Sequence, residues 1–239
     1  MHALAYCQGL EELLEVTVPD RARYLRVVWS ELHRLHSHYL WLGLLADAFG
    51  YESLFMQCWR NRELVMDLME ATAGSRVIIS VNILGGVRRD IDEEQQAYIL
   101  RTLDTIEAEL DRIYGTFTND YTVKQRLSGI GRLSKEEAHE LGCVGPMARA
   151  SGISADIRTT GYAAYNELEF SPVTETAGDC YARLLVRLKE CYQSIGLIRQ
   201  CFRRLPAGAI YVPVRGAPKG EAVMRVEQPR GEVFYYIKA

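Results

Sequence analysis

Residues 20–50 read DRARYLRVVWSELHRLHSHYLWLGLLADAFG, and this stretch decides the fold. From Arg21 to Phe49 only Gly43 interrupts residues that a helix accepts. The stretch therefore predicts one helix of about 29 residues, roughly 44 Å long, with Asp20 as its N-cap and Gly50 just beyond its end. Intrinsic propensity does not stabilise so long a helix in water, so we expect it to pack lengthwise against other helices.

Four further stretches repeat apolar residues at three- and four-residue steps and so predict helices. They cover residues 3–15, Glu52–Thr72, Ile91–Tyr114 with Asp90 as its cap, and Asp179–Leu205, which Pro206 stops. The fold class predicted is mainly α (α+β), as an elongated bundle of four long helices.

The residue composition changes after Pro206. The segments IYVPV, EAVMRVEQ and GEVFYYIKA are rich in β-branched and aromatic residues and are separated by glycine and proline turns. They predict a small C-terminal antiparallel β meander of two or three strands. The sequence therefore divides into a helical bundle core over residues 1–205, which includes a loop at 145–170, and a small β region over 206–239.

Composition limits the functional classes. The chain has 239 residues with a net charge of −3, which gives no reason to expect nucleic-acid binding. No run reaches the roughly 18 apolar residues of a membrane span, so no direct span is expected. The six cysteines form no C-x-x-C pair and predict reduced thiols in a cytoplasmic chain.

Three of the five histidines, His33, His36 and His38, lie within the long helix. His33 and His36 share a helix face and could ligate a metal, but a third ligand at matching spacing is absent, because Glu31 lies about 200° around the helix from His33. The alternative is that one or two of these rings make buried hydrogen bonds between helices. We favour hydrogen bonds and predict no metal site.

The motif Glu136-x-x-His139 is half of a di-iron carboxylate site, and the chain has no second copy. Ser134 and Glu137 explain the same stretch as the capping box of a short helix. The pair Gly85-Gly86 predicts a tight turn between two helices.

The loop GPMARASGISADIRTTGYAAYNELEF (145–170) has a high density of polar side chains for a segment that joins two long helices. Loops of this length are uncommon in compact domains and often carry function. GDCYAR follows at 178–183 and places Asp179 at the start of a helix, near the positive end of its dipole.

The same stretches resemble the large subunit of energy-converting, membrane-associated [NiFe] hydrogenases and the D subunit of NADH:quinone oxidoreductase (complex I). The resemblance runs in order through nearly the whole chain, including RARYLRVVWSELHRLHSHYLWLG, GGVRRD, LSKEEAHELGCVGPMARASGISADIR, GDCYARLLVRLKE and VEQPRGEVFYYIKA. The long helix is more similar to the hydrogenase branch. The family's Arg-Gly-Ser-Gly motif corresponds here to residues 149–152, with alanine at position 150.

The resemblance implies an oxidoreductase subunit that exchanges electrons with a small iron–sulfur subunit and uses either H2/protons or a quinone. The two Cys-x-x-C motifs that hold nickel and iron in hydrogenases, and the complex I quinone-binding histidine and tyrosine, belong to family segments without a counterpart in this sequence. We therefore expect no Ni–Fe cofactor in the chain itself. We also expect a gene fragment, a recombinant piece or a degenerate paralogue that is inactive alone.

The resemblance also implies roles for particular residues. One set is expected to line or support a cavity facing the partner, with ion pairs that hold the loop as the alternative; it comprises Arg149, Ser151, Asp156, Arg158 and Asp179. A second set is expected to form an interhelix polar network; it comprises Glu31, Arg34, His36 and His38. The expected location is the cytoplasmic face of the membrane, through further subunits of the complex. The alternative function is a non-catalytic scaffold or assembly module.

Overall fold

The computed structural model describes residues 1–239, in which eight α-helices precede a C-terminal β-hairpin. The helices are α1 (His2–Leu13), α2 (Asp20–Ala48), α3 (Glu52–Ala73), α4 (Glu93–Asn119), α5 (Tyr121–Leu127), α6 (Lys135–Glu140), α7 (Gly145–Ala150) and α8 (Cys180–Arg204). The strands are β1 (Asn82–Ile83), β2 (Gly86–Val87), β3 (Glu221–Gln228) and β4 (Gly231–Lys238). The chain is mainly helical with a small C-terminal antiparallel sheet, as predicted. The predicted bundle of four long helices corresponds to α2, α3, α4 and α8, but the count is not matched, since the structure has eight helices.

Helix α2 forms the centre of the bundle. Helices α3 and α8 pack along it, and α4 contacts both of these. Large side chains such as Trp29 and Tyr39 on α2 are consequently almost fully buried. Gly43 allows a close approach to α3, because a Cβ at this position would lie 2.9 Å from the indole ring of Trp59. No helix combines the length and the apolar character that crossing a bilayer demands.

Two helix starts differ from the prediction. Asp20 is the first residue inside α2, and Pro19 occupies the cap position. Helix α4 begins after Asp92, whose carboxylate accepts from the backbone N–H of Gln95 at 2.8 Å in a capping box. The predicted cap, Asp90, instead accepts from Nε of an arginine on α2 at 2.9 Å. Asp90 and Asp92 are two positions apart, and both are good caps, so the sequence alone left the cap ambiguous.

The predicted tight turn at Gly85-Gly86 joins β1 and β2, with Gly85 in the turn and Gly86 as the first residue of β2. A Cβ at either position would lie within 2.3 Å of a carbonyl oxygen in the segment IYVPV. This segment pairs with the turn through a single bridge between Gly86 and Tyr211, and it does not extend the C-terminal sheet. Pro213 has no N–H and could not have continued a ladder there.

The C-terminal sheet has two strands. β3 and β4 pair antiparallel over eight residues each, from Glu221 opposite Lys238 to Gln228 opposite Gly231. The inner face packs on α1, where Gly9 lies against Ile237. The hairpin is therefore fastened to the helices, and its turn reaches the loop at 145–170.

Half of the predicted long loop has short helical structure. Helix α7 and two 3₁₀ turns, Ile157–Thr160 and Tyr165–Glu167, account for half of residues 145–170. Ahead of it, Ser134 and Glu137 form the predicted capping box at α6. Ala150 is the last residue of α7 and packs in a small apolar cluster on α8, so the backbone there accepts a side chain.

Candidate functional site

The five predicted loop residues are all buried, with exposed fractions between 0% and 7%. They are Arg149, Ser151, Asp156, Arg158 and Asp179. None of the five lines the cavity that opens beside the loop. The structure places three of them, Arg149, Asp156 and Arg158, in one network of buried charges, and the other two in separate backbone contacts.

Arg149 on α7 lies at the centre of the charged network. Its Nε donates to Oε1 of Glu190 on α8 at 2.8 Å, and its Nη1 donates to Oε1 of Glu227 on β3 at 2.9 Å. The same Nη1 donates to the carbonyl of Ala155 at 2.9 Å. One guanidinium thus connects the loop to the bundle and to the hairpin, and a charge-assisted fork of this kind fixes geometry as well as charge.

Arg158 makes the second connection, from the loop to α2. Its Nη2 donates to Oδ2 of Asp156 at 2.7 Å, and its Nη1 lies 3.3 Å from both carboxylate oxygens of Glu31. Arg34 donates to the same Glu31 through Nε at 3.1 Å. Every group in this set has a fully buried side chain. These contacts match the alternative stated above, in which ion pairs hold the loop; a role toward a partner stays a prediction.

Glu31 accepts two further hydrogen bonds, from the Tyr165 hydroxyl at 2.5 Å and from the Ser194 hydroxyl at 2.6 Å. Burial alone would raise the pKa of Glu31. The neighbouring charges of Arg34 and Arg158, together with these two hydroxyl groups, outweigh burial and hold the pKa of Glu31 below its ordinary value. The carboxylate is therefore ionised although it is fully buried.

His38 on α2 contacts Glu190 on α8 across the bundle, with Nε2 and Oε2 2.7 Å apart. Burial lowers the pKa of His38 to about 4, despite the opposing effect of the Glu190 hydrogen bond. Burial raises the pKa of Glu190, but the hydrogen bond from His38 and the charge of Arg149 hold it well below its ordinary value. At neutral pH the pair is thus a neutral imidazole donating to an ionised carboxylate.

The network contains three guanidinium groups and four carboxyl groups. The guanidinium groups belong to Arg34, Arg149 and Arg158, and the carboxyl groups to Glu31, Asp156, Glu190 and Glu227. Of the four acids only Glu227 has a raised pKa, because burial and the nearby Asp156 outweigh the opposing charge of Arg149. Glu227 is therefore the acid of the network whose ionised form is the least stabilised.

Ser151 and Asp179 hold the backbone that leads into the loop. The Ser151 hydroxyl donates to the carbonyl of Leu133 at 2.9 Å. Asp179 is the N-cap of α8, accepting from the Ala182 N–H at 2.8 Å and from the Gly129 N–H at 2.7 Å. Both side chains use their polar atoms within the chain.

His36 lies on a different side of α2 from His38. Its Nε2 accepts from Nη2 of Arg62 on α3 at 2.8 Å, which requires a neutral ring. Burial and the charge of Arg62 lower the pKa of His36 to about 4. His33 stacks on His36 with ring centroids 5.8 Å apart. Of the predicted interhelix set, Glu31, Arg34 and His38 lie in the central network, and His36 lies outside it.

A cavity of about 280 Å³ opens between α2, α7, α8 and the hairpin turn. Its polar lining residues are Ser37, His38, Arg187 and Arg230, and its apolar lining residues are Leu40, Trp41, Leu44, Met147 and Pro229. The guanidinium carbon of Arg187 lies 4.0 Å from the centre of the Trp41 ring. The cavity presents positive charge and apolar surface side by side, directly against the charged network at His38.

Sequence reasoning missed the α8 and hairpin members of this region, including Arg187, Glu190 and Glu227. Their partners are distant in sequence, so spacing within a segment carried no information about them. One signal was present. Arg187, Glu190 and Ser194 lie beside the apolar stripe of a long amphipathic helix, and charged residues in that position need buried partners.

The cysteines do not assemble a metal centre. Cys7, Cys58, Cys191 and Cys201 are buried and unpaired, and Cys143 and Cys180 are half-buried. No group of three or more His, Cys, Asp and Glu side chains is arranged to hold a metal ion. A Ni–Fe centre needs four thiolates, so the residues of this chain do not fit one.

Comparison with known proteins gives consistent matches. The family described as "Respiratory-chain NADH dehydrogenase, 49 Kd subunit" matches residues 48–216. The chain is 40% identical to the carbon monoxide-induced hydrogenase of Rhodospirillum rubrum over 99% of this chain and 66% of that protein. It is 39% identical to the D subunit of the F(420)H(2) dehydrogenase of Methanosarcina mazei over 97% of this chain and 65% of that protein.

A third relative is the alpha subunit of the membrane-bound hydrogenase of Pyrococcus furiosus, which is 36% identical over 99% of this chain and 60% of that protein. The chain therefore spans 60–66% of the length of these curated relatives. The names of the relatives include both hydrogenases and dehydrogenases, so the comparison alone assigns no substrate.

Proposed function

This chain belongs to the family of the 49 kDa subunit of respiratory-chain NADH dehydrogenase, and from that premise we propose that it serves as the large subunit of a membrane-associated oxidoreductase complex. In this proposal it exchanges electrons with a small iron–sulfur subunit, and its substrate is either H2/protons or a quinone. The complex lies on the cytoplasmic face of the membrane, and the chain is held there by further subunits.

The observation that carries the proposal is the cavity beside the buried network. Helix α7 and the hairpin turn supply Met147 and Arg230 to its lining, and α2 and α8 supply His38 and Arg187. Four elements that are distant in sequence converge there, and the charged network fixes them relative to one another. A preorganised, positively charged face of mixed polarity is suited to hold a partner protein in one orientation.

The residues of the network have a positioning role in this proposal. Arg149 and Arg158 hold the loop with all their charge neutralised internally, so they are not free to bind a partner directly. The imidazole of His38 connects the network to the cavity, since it lines the cavity and donates to Glu190. No chemical step is assigned through nickel, because the residues of this chain do not fit that centre.

The experiment is purification of the tagged chain from the membrane fraction of its host in mild detergent. We expect an iron–sulfur protein to co-purify, with an electron paramagnetic resonance signal from its cluster. Hydrogen-dependent viologen reduction and quinone reduction by the same preparation then distinguish the two substrates.

A preparation that contains the chain alone, monodisperse and without an iron–sulfur signal, would contradict the proposal. Co-purification with other subunits but without any cluster or either activity would support the non-catalytic scaffold instead.

A further inference from the structure

Six arginine side chains are buried in this protein. They are Arg26, Arg34, Arg62, Arg149, Arg158 and Arg187. Four of the six make ion pairs with buried carboxylates, as in the pair of Arg26 with Glu11 at 2.7 Å. Arg62 and Arg187 make none. A buried guanidinium without an anion is costly, so each exception needs an explanation.

Arg62 has a partner within the chain. It donates to the neutral ring of His36, and its guanidinium carbon lies 4.6 Å from the centre of the Trp59 ring. Arg187 also lies over an indole ring, that of Trp41, but its only hydrogen bond goes from Nη1 to the carbonyl of Arg183 at 3.0 Å. Its Nε and Nη2 have no partner in the chain, and both keep some accessible surface beside the cavity that Arg187 lines.

The surroundings of Arg187 are positive. Arg149, Arg183 and Arg230 surround it, and the one nearby acid, Glu190, is engaged by His38 and Arg149. Burial and these like charges lower the pKa of Arg187 to about 10, while Glu190 opposes them, so the side chain remains a cation at neutral pH. Arg187 is therefore a cation that makes no ion pair within the chain, and its free donors are available at the cavity.

The cavity next to Arg187 supplies the space for a missing anion. No aspartate or glutamate lines its volume of about 280 Å³. The planar guanidinium matches a carboxylate in geometry, and the apolar walls, including Trp41 and Leu44, suit the methylene groups that carry one. A cavity of this size admits a side chain and its neighbours but not a folded segment.

We propose that the cavity between Trp41, Arg187 and Arg230 binds a carboxylate group, and that an aspartate or glutamate side chain of the partner subunit supplies it. The carboxylate chemistry rests on the geometry above. The protein source rests on the proposed function, in which a partner covers this face. A free small carboxylate is the other possible source, and the experiment has separate arms for the two.

The first arm uses the chain alone and small probes. Sodium butyrate is titrated against sodium chloride at equal ionic strength and against neutral butyramide, with the Trp41 indole N–H followed by nuclear magnetic resonance and assigned from Trp41→Phe. We expect a saturable shift with butyrate only. Arg187→Gln should weaken this binding at least tenfold. Arg62→Gln is the matched control, since it removes a buried, indole-stacked arginine that does not line the cavity, and it should leave the binding unchanged.

The second arm uses the complex purified from membranes. Arg187→Lys places an amine at the floor of the cavity, and a carbodiimide joins amines to carboxylates that touch them. We expect a zero-length cross-link from position 187 to an aspartate or glutamate of the partner subunit, identified by mass spectrometry. Arg203→Lys, at an exposed position of the same helix, is the control and should give no such product.

The outcomes separate the claims. Butyrate binding together with the cross-link supports the proposal, whereas butyrate binding without a cross-link in an intact complex overturns the protein source in favour of a free carboxylate. No difference between butyrate, butyramide and chloride overturns the site itself. If no partner co-purifies with the wild-type chain, the proposed function fails, and so does the claim that a partner protein supplies the carboxylate. The butyrate titration still decides whether the cavity binds a carboxylate.

Discussion

Arg149 and Glu190 are both fully buried, and Nε of the arginine lies 2.8 Å from Oε1 of the glutamate. The two residues are 41 positions apart in sequence. Their contact joins the short helix α7 to the long helix α8, and through His38 on the same carboxylate it reaches α2. The loop that the sequence marks as functional is thus part of the rigid core.

Replacing Arg149 with alanine is expected to lower the free energy of unfolding by about 3–5 kcal/mol, because Glu190 and Glu227 would both lose a buried cationic partner. Denaturant unfolding followed by circular dichroism measures the change. Arg101→Ala removes an exposed arginine of α4 and should stay within about 0.5 kcal/mol of the wild type. A small effect at Arg149 would mean that the loop opens readily and that its charges are solvated.

The acidic side of the pH–stability profile should depend on His36. Burial and Arg62 lower the pKa of His36 to about 4, against an ordinary value of 6.5. Between these values the unfolded chain binds a proton on this ring that the folded chain does not, so stability falls as the pH drops from 6.5 towards 4. His36→Gln keeps an acceptor for Arg62 and should reduce this slope by about one proton, or about 1.4 kcal/mol per pH unit.

The measurement is urea unfolding at several pH values between 4 and 7. An unchanged slope in the His36→Gln variant would show that the ring is already protonated in the folded protein, in which case the contact with Arg62 must be broken in solution.

Features of the fold that depend on local sequence could be predicted, whereas those that depend on distant segments could not. The long helix α2 was predictable because a run without breakers is a local property, and Gly50 ends it with the expected positive φ of 75°. The segment IYVPV has strand composition, but its pairing with Gly86 depends on a turn more than 120 positions away, and no local pattern carries that information.

The candidate site shows the same division. Arg149 and Arg158 were identified by their density in the loop and by the family resemblance, yet their burial depends on acids supplied by distant elements. The one local signal at Arg187 is its place beside the apolar stripe of α8, and the helix pattern does not show which residues across the bundle would contact it. Tertiary pairing of charges is therefore the information that was missing.

Two acids of the network should respond differently to neutralisation. Glu190 has a pKa far below its ordinary value, so Glu190→Gln removes a charge that His38 and Arg149 both require and should cost about 3–5 kcal/mol. Glu227 has a raised pKa because burial and Asp156 disfavour its charge. Glu227→Gln should therefore cost at least about 1 kcal/mol less than Glu190→Gln.

Denaturant unfolding of the two variants at pH 7 provides the comparison. Equal losses would mean that the fold depends on the charge of Glu227 as much as on that of Glu190, which would contradict the raised pKa of Glu227.

The contact between the hairpin turn and the start of α7 should tolerate no side chain at Gly145. Gly145 has a φ of +64°, and a Cβ there would lie 2.4 Å from the Cα of Gly231. Gly142, three positions earlier, has a φ of +62° and open space around it. Gly142→Ala therefore adds only the left-handed backbone strain of about 1–2 kcal/mol, whereas Gly145→Ala also adds overpacking of about 1–3 kcal/mol against backbone that cannot rotate away.

The consequence extends beyond stability, because Pro229 and Arg230 line the cavity next to this contact. If the turn is displaced, butyrate binding at Arg187 should weaken in Gly145→Ala and remain unchanged in Gly142→Ala, as the titration followed at Trp41 would measure. Equal unfolding free energies for the two variants would show that the turn is free to shift, and unchanged butyrate binding in Gly145→Ala would show that Arg187 and Trp41 suffice without it.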